Sequence, residues 1–314
     1  MGDMSFAVSH VGLPALALMG ALLIGPACGD VGPDAEPSAS STSSGSSLGG
    51  AGGGGSDSGA DGPGAGGATS SGQGGSTSSG GGGGSTGETG LDALGTLVVL
   101  GDSIGDGGGQ GPYYYSLLKD ALAIRYGAID YHRQAESGSE TSALLGQVNS
   151  LPNTLVGPVA VVITSGGNDM KDTMALVLLG LDDLQVTAMS NNIDQALVAL
   201  LAPGAFGPGV AVHVYEATIY DASDGQGNYA TGGCVINMNS PAPVDPFFGK
   251  WNGAIAQTLA LHGQVLAPMH DRFFGHGFNN PPNWYASDCT HPNTTGHDEV
   301  HQMFYELITG EPAP

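Results

Sequence analysis

Two short runs in this chain, residues 96–100 (TLVVL) and 159–164 (VAVVIT), are apolar almost throughout instead of alternating with polar residues. A strand of that kind is buried on both faces, as happens in a parallel sheet covered by helices on either side. Each run stops abruptly in small polar residues, Gly101-Asp102-Ser103 after the first and Ser165-Gly166-Gly167-Asn168-Asp169 after the second. A weaker strand pattern lies at 128–135, a fourth strand at 210–218 and a short fifth at 263–268. Apolar residues at helical spacing mark 112–125, 141–149, 191–201, 246–262 and 295–309. Strands alternating with helices make βαβ units. The expected fold is therefore α/β, a three-layer α/β/α sandwich around a five-stranded parallel sheet of the flavodoxin-like type.

That domain is expected to occupy residues 94–314. The segment before it cannot build a core. Residues 31–90 hold 23 Gly and 15 Ser among 60, too little apolar surface to offset chain entropy, so 29–93 reads as a disordered linker. Residues 11–27 form an uncharged apolar run with Gly and Pro, short for a spanning helix and suited to the h-region of an export signal. The run ends at Ala27-Cys28, which resembles a bacterial lipoprotein processing site, so residues 1–28 are expected to be a signal and Cys28 a lipid attachment point. Localisation in the cell envelope or outside the cell follows, with membrane attachment through the lipid alone.

All six basic residues lie beyond residue 90, against 22 acidic ones there, a net charge of −16 for the domain. Such a field repels phosphate backbones, and no basic stripe offsets it, so nucleic acid is not an expected partner. Cysteine usage points the same way as the leader. Of three cysteines, Cys28 is accounted for by acylation, leaving Cys234 and Cys289 to form a disulfide in an oxidising compartment. Closing that loop is worth about 4 kcal/mol in the chain-entropy model. Two buried free thiols are the alternative.

In parallel sheets, ligands bind beyond the carboxyl ends of the strands. Four polar segments fall there: Ser103, Gly138, Asn168 and the stretch 288–291. A serine hydroxyl becomes nucleophilic when a base takes its proton, the base needs an orienting acceptor, and the developing oxyanion needs donors. Ser103 is a candidate nucleophile, His291 its base, and Asp288 the orienting carboxylate, since D-x-x-H in Asp288-Cys289-Thr290-His291 can set a carboxylate beside an imidazole. The backbone N–H groups of Ser103 and Gly138 and the Asn168 amide are candidate oxyanion donors.

Taken in order, Gly101-Asp102-Ser103-Ile104, Ser137-Gly138-Ser139, Gly166-Gly167-Asn168-Asp169 and Asp288-Cys289-Thr290-His291-Pro292 resemble the motif blocks of the SGNH hydrolases, also called GDSL-type esterases and lipases. The resemblance covers about 220 residues. It implies a Ser103 nucleophile, Gly138 and Asn168 as oxyanion donors, His291 as general base with Asp288 as its partner, and the three-layer fold already expected. It also implies a serine esterase that forms an acyl-enzyme and needs no cofactor.

Other residues admit more than one reading. Asp102 either orients the turn or caps the following helix, and Asp169 is expected to hydrogen-bond its own loop. The histidines at 270, 276 and 297 show no ligand spacing, so no metal is expected. Gly105 to Gly109 lacks the lysine of a phosphate loop and reads as a tight, mobile rim. Phe273, Phe274, Phe278, Trp284 and Tyr285 either stack on a sugar ring, flank a short acyl chain, or simply cover the sheet edge. The run 174–181 (MALVLLGL) is either an acyl-binding flap or a core helix. The expected activity is hydrolysis of short-chain acyl or acetyl esters, on carbohydrate or a small alcohol, by a monomer. A noncatalytic glycan-binding surface lipoprotein, a lipase or phospholipase for longer chains, and a metal-dependent phosphodiesterase are the competing readings.

Overall fold

A computed structural model describes residues 90–234 and 239–314. The expected signal (1–28), Cys28 and the linker up to residue 89 lie outside the described residues. Five strands form one sheet: β1 (Thr96–Gly101), β2 (Asp130–Arg133), β3 (Val159–Thr164), β4 (Val212–Ala217) and β5 (Val265–Ala267), in the order β2-β1-β3-β4-β5 and parallel throughout. This is a doubly wound α/β sheet. The helices are α1 (Ser103–Asp106), α2 (Tyr114–Tyr126), α3 (Leu144–Asn149), α4 (Gly167–Asp172), α5 (Met174–Leu178), α6 (Asp183–Leu200), α7 (Asp245–Leu261), α8 (Met269–Phe273) and α9 (Thr294–Thr309).

Pleating sends alternate residues to opposite faces. Val98, Leu100, Val161, Ile163 and Val214 pack with Met189, Ile193, Leu197, Trp251 and Ile255 of α6 and α7. Leu97, Val99, Ala160 and Val162 pack on the other face with Leu118 and Leu122 of α2 and Val300 and Phe304 of α9. Both strands β1 and β3 are fully buried along their length, which is why their sequences do not alternate. The three-layer α/β/α architecture is thus present, and its β1–β3 register sets Gly101 opposite Thr164. Both chain exits therefore leave the sheet at the same rim.

Several boundaries differ from the sequence reading, each for a tertiary reason. Helix α6 begins at Asp183, eight residues before the expected 191, because the preceding Asp182 is fully buried and held by Lys250 Nζ at 2.6 Å and Trp251 Nε1 at 2.7 Å. Helix α2 starts at Tyr114 instead of Pro112; the Tyr114 N–H reaches His297 Nδ1 at 3.5 Å, a partner 183 residues away. Residues 90–93, counted with the linker, pack on the domain: the Leu91 N–H donates to the Ile308 carbonyl and Tyr126 donates to the Leu91 carbonyl. Among the described residues no helix is long and apolar enough to cross a membrane.

One buried carboxyl in the sheet sets a pH dependence. Glu216 near the end of β4 is fully buried; the Ser165 hydroxyl donates to Oε1 at 3.0 Å, while Oε2 has no hydrogen-bond partner. Burial pushes this carboxyl up to about 8, against the pull of Ser165 and with a push from Asp169. The folded protein thus retains a proton that the unfolded chain loses from its ordinary value of 4.5 upward, so stability falls as pH rises through that window. Glu216→Gln should unfold at nearly the parent temperature near pH 5 and above it beyond pH 8. Thermal melts at the two pH values check this; a difference that does not change with pH contradicts it.

Candidate active site

The turn after β1 is dictated by sterics. Gly101 has φ of +115°, and a Cβ there would stand 1.9 Å from the Thr164 carbonyl oxygen, so only glycine lets the two strands end side by side. The Asp102 N–H donates to that same carbonyl at 2.8 Å. Its side chain then caps α1, accepting from the Ile104 N–H at 3.0 Å and the Thr164 hydroxyl at 3.1 Å. Of the two readings of Asp102, the cap is what the geometry displays. Burial pushes its carboxyl up to about 6, although the Ile104 N–H, Thr164 and His291 all pull it down. Ser103 follows as the first residue of α1.

The stretch Asp288 to His291 folds back on itself. Asp288 Oδ1 accepts from the N–H groups of Thr290 and His291 at 2.9 and 3.0 Å, while Oδ2 lies 2.6 Å from His291 Nδ1. Burial raises the Asp288 carboxyl, but the hydrogen bonds from the His291 ring and the two backbone N–H groups outweigh it and hold it below the ordinary value. An ionised carboxylate accepts, so Nδ1 carries the proton and Nε2 is free to act. His291 Nε2 lies 2.8 Å from Ser103 Oγ, across 188 residues of sequence. The three side chains expected at this site therefore stand in one hydrogen-bonded row.

Residues 105 to 109 form a tight rim. Gly105 and Asp106 lie in α1, and the Gly108 N–H donates to the Ser103 carbonyl. A Cβ on Gly108 would lie 2.4 Å from His291 Cδ2, and one on Gly109 would lie 2.0 Å from the Pro292 carbonyl oxygen. The glycines are required because the backbone passes directly against the imidazole. His297 fastens this passage. It is fully buried, its Nε2 lies 2.9 Å from the Gly108 carbonyl, and burial pulls it down to about 4 despite that bond. The ring is thus neutral above that pH and donates from Nε2 to Gly108. His297 lies in the first turn of α9, as its position in the sequence suggests.

Gly138 sits in the left-handed region at φ +81°, and a Cβ there would meet nothing within 4 Å. Its glycine is demanded by conformation, not by crowding. The loop that carries it is tied at several points to neighbours of the other site residues. Asp106 Oδ2 accepts from the Ser137 N–H at 3.1 Å and its hydroxyl at 2.8 Å. Asp169 accepts from the Thr141 N–H at 2.9 Å and hydroxyl at 2.6 Å, so it binds the Gly138 loop and not its own. Gln147 bridges the N–H and carbonyl of Gly101 at 2.7 and 2.8 Å. Asn168, 7% exposed, donates from Nδ2 to the Ser139 carbonyl at 2.9 Å and accepts on Oδ1 from Lys171 at 2.8 Å. Sequence reasoning missed Asp106, Gln147 and Lys171. Only the i, i+3 spacing of Asn168 and Lys171 on one helix carried any signal.

A cavity of about 100 Å3 opens beside Ser103 and Asn168. Its apolar wall is Met170, Met174, Ile219, Phe248 and Met269, with Asp102, Ser165 and Asp221 among its polar groups. The aromatic segment before the histidine loop does not line it. Phe273 and Tyr285 are buried, Phe278 and Trp284 pack against the same core, and only Phe274 stands half exposed. Of the readings offered for these rings, covering the sheet edge is the one the packing matches. The 174–181 run divides: Met174 lines the cavity, Val177 is core, and Leu179 and Leu181 are exposed. The stretches 220–234 and 275–290 are sewn together. Cys234 and Cys289 are joined by a disulfide with Cα atoms 5.1 Å apart. Asp224 accepts from the N–H groups of Gly275 and Gly277 and from Asn280, and Tyr220 donates to the Thr290 carbonyl at 2.5 Å. Among the described residues no three His, Cys, Asp or Glu side chains gather as a metal-ligand set.

The sequence profile of the GDSL-like lipase/acylhydrolase family matches residues 99–299, a span that holds every residue of this site. The chain belongs to that family. No curated protein matches it in sequence. Solved structures similar to this GDSL-like hydrolase include an α/β hydrolase enzyme from the metagenome of Lake Arreo, Spain, at 21% identity and TM-score 0.49, covering 70% of this chain and 97% of that one. An extracellular lipase from Streptomyces rimosus has 21% identity and TM-score 0.49, with 69% and 99% covered. Axe2, an acetylxylan esterase from Geobacillus stearothermophilus, has 16% identity and TM-score 0.47, with 70% and 96% covered. As a member of the family, the GDSL-like hydrolase described here is a carboxylic ester hydrolase.

Gly108→Ala should expose the dependence of the row on the glycine passage. The added methyl must push the His291 ring or the loop aside, and a misplacement near 1 Å costs about 100-fold in turnover. Steady-state hydrolysis of a short ester, with circular dichroism to establish that the fold is kept, checks it; turnover within twofold of the parent would remove the argument.

Proposed function

We propose that this protein hydrolyses short-acyl carboxylic esters through an acyl-enzyme on Ser103. The observation that carries the reading is the row itself: Asp288 Oδ2 at 2.6 Å from His291 Nδ1, and His291 Nε2 at 2.8 Å from Ser103 Oγ. As Ser103 Oγ attacks the ester carbonyl, Nε2 takes its proton, and Asp288 balances the imidazolium that forms. The carbonyl oxygen gains charge and is received by the N–H groups of Ser103 and Gly138 and the Asn168 amide. His291 then returns the proton to the departing alkoxide. Water repeats the sequence on the acyl-enzyme, again with His291 as base, and releases the carboxylic acid.

The size of the cavity supports a short acyl group. At about 100 Å3 it is smaller than the roughly 150 Å3 that accepts a benzene ring, and its methionine and isoleucine wall suits a few carbons of acyl chain. The alcohol moiety would lie towards solvent, where a sugar or small alcohol fits equally. Export fits the same picture. The disulfide between Cys234 and Cys289 suits an oxidising compartment, in keeping with the apolar run at residues 11–27 and an acylated Cys28.

p-Nitrophenyl esters of rising acyl length, with acetylated xylan beside them, should give highest kcat/KM at two to four carbons. Ser103→Ala should lose at least about 1,000-fold in turnover while folding normally. A fluorophosphonate should label the parent and not this variant. A folded parent that the reagent leaves unlabelled points to the noncatalytic glycan binder; an optimum at long acyl chains points to a lipase.

A further inference from the structure

Five of the six basic side chains have a carboxylate oxygen within 3.2 Å: Lys119, Arg125, Arg133, Lys250 and Arg272. Lys171 differs. Its nearest carboxylate, Asp172, is 4.0 Å away, whereas its short bond, 2.8 Å, goes to the neutral Oδ1 of Asn168. In a domain with so large an excess of acids, an ammonium that faces an amide at the reacting end of the molecule calls for a reason. Lys171 lines the same cavity as Ser103 and Asn168.

The chemistry of a carboxamide supplies one. Its oxygen and nitrogen are nearly isosteric, and only the partners decide which way it points. An ammonium can only donate, so Oδ1 must face Lys171. A backbone carbonyl can only accept, so Nδ2 must face Ser139. One Nδ2 hydrogen is thereby used and the other is left for a substrate oxygen. A cation on the amide oxygen also draws electron density from the nitrogen, strengthening the remaining N–H as a donor, an instance of hydrogen-bond cooperativity; the Asn168 amide is buried at 7% exposure, while the Lys171 side chain that reaches it is 41% exposed. Both effects increase as the carbonyl oxygen of the ester becomes anionic. We propose that Lys171 is a positioning residue for the oxyanion, fixing and polarising the Asn168 amide through its Oδ1. The inference rests on the ester-hydrolase reading above.

A double-mutant cycle on the whole protein with a short p-nitrophenyl ester tests it. Lys171→Met should lower kcat about tenfold with KM within about twofold, because the interaction strengthens only in the transition state. Asn168→Ala should cost about 100-fold. If Lys171 acts through Asn168, the double variant should be no slower than Asn168→Ala alone. A full tenfold loss in the Asn168→Ala background, or a Lys171→Met enzyme as fast as the parent, overturns the proposal while Ser103-dependent labelling keeps the hydrolase reading in place. A parent with neither turnover nor labelling overturns both. Should Lys171→Met fold poorly, Lys171→Gln takes its place in the same cycle.

Discussion

A hydrogen bond of 2.8 Å between residues 188 apart, Ser103 and His291, constrains everything else in this molecule. Neither side chain is held by its own local structure alone. Ser103 depends on a strand end that only glycine can make, with Gly101 against the Thr164 carbonyl. His291 depends on a turn closed by Asp288 and on glycine backbone lying against its ring. The parallel sheet brings these ends to one rim, and short fixed contacts then set the last few tenths of an ångström. An imidazole that can rotate away leaves the hydroxyl an ordinary serine.

The acidity of the domain acquires a local meaning in this setting. Asp102, Asp106, Asp169, Asp221, Asp224 and Asp288 each accept at least one backbone N–H hydrogen bond at or near the rim. A carboxylate accepts several such bonds at once and can replace a run of regular secondary structure in holding a loop. The Gly138 loop is held in this way by Asp106 and Asp169, the stretch 221–229 by Asp221, and the stretch 275–280 by Asp224. Cations are scarce, and Lys171 is set apart from the others by facing an amide and not an acid. Net charge alone speaks of solubility; the placement of the carboxylates speaks of loop rigidity.

Legibility varied with the range of the interaction concerned. Strands β1 and β3 could be read because burial on both faces leaves a continuous apolar run, and Val159–Thr164 is found with the expected limits. The edge strand β2, with its half-exposed pattern, carried a weak signal and is four residues long. The first two turns of α6 carried none, because what starts that helix is Asp182 bound to Lys250 and Trp251. At the site, Ser103, Asn168, Asp288 and His291 stood out as polar residues at strand ends in a characteristic order. The close packing of Gly108 against His291 did not, since a glycine run in a sequence does not say what it will touch. The aromatic cluster at 273–285 was open to three readings, a sugar platform, an acyl-chain wall or a cover for the sheet edge, and it is mostly core, because composition does not tell the inner face of a loop from its outer one.

By itself the amino-acid order determined the layered α/β class, the reacting residue types and the rim on which they would gather. Those follow from periodicity and from the rule that parallel strands end together. Tertiary structure decided what the chemistry would need beyond that: which carboxylate ties which loop, the neutral state of His297, the small size of the cavity, and the pairing of Lys171 with Asn168. Apart from the Lys171–Asn168 bond, made within one turn of α4, these depend on contacts between segments far apart in the chain, where distances of a few tenths of an ångström set both hydrogen bonding and protonation.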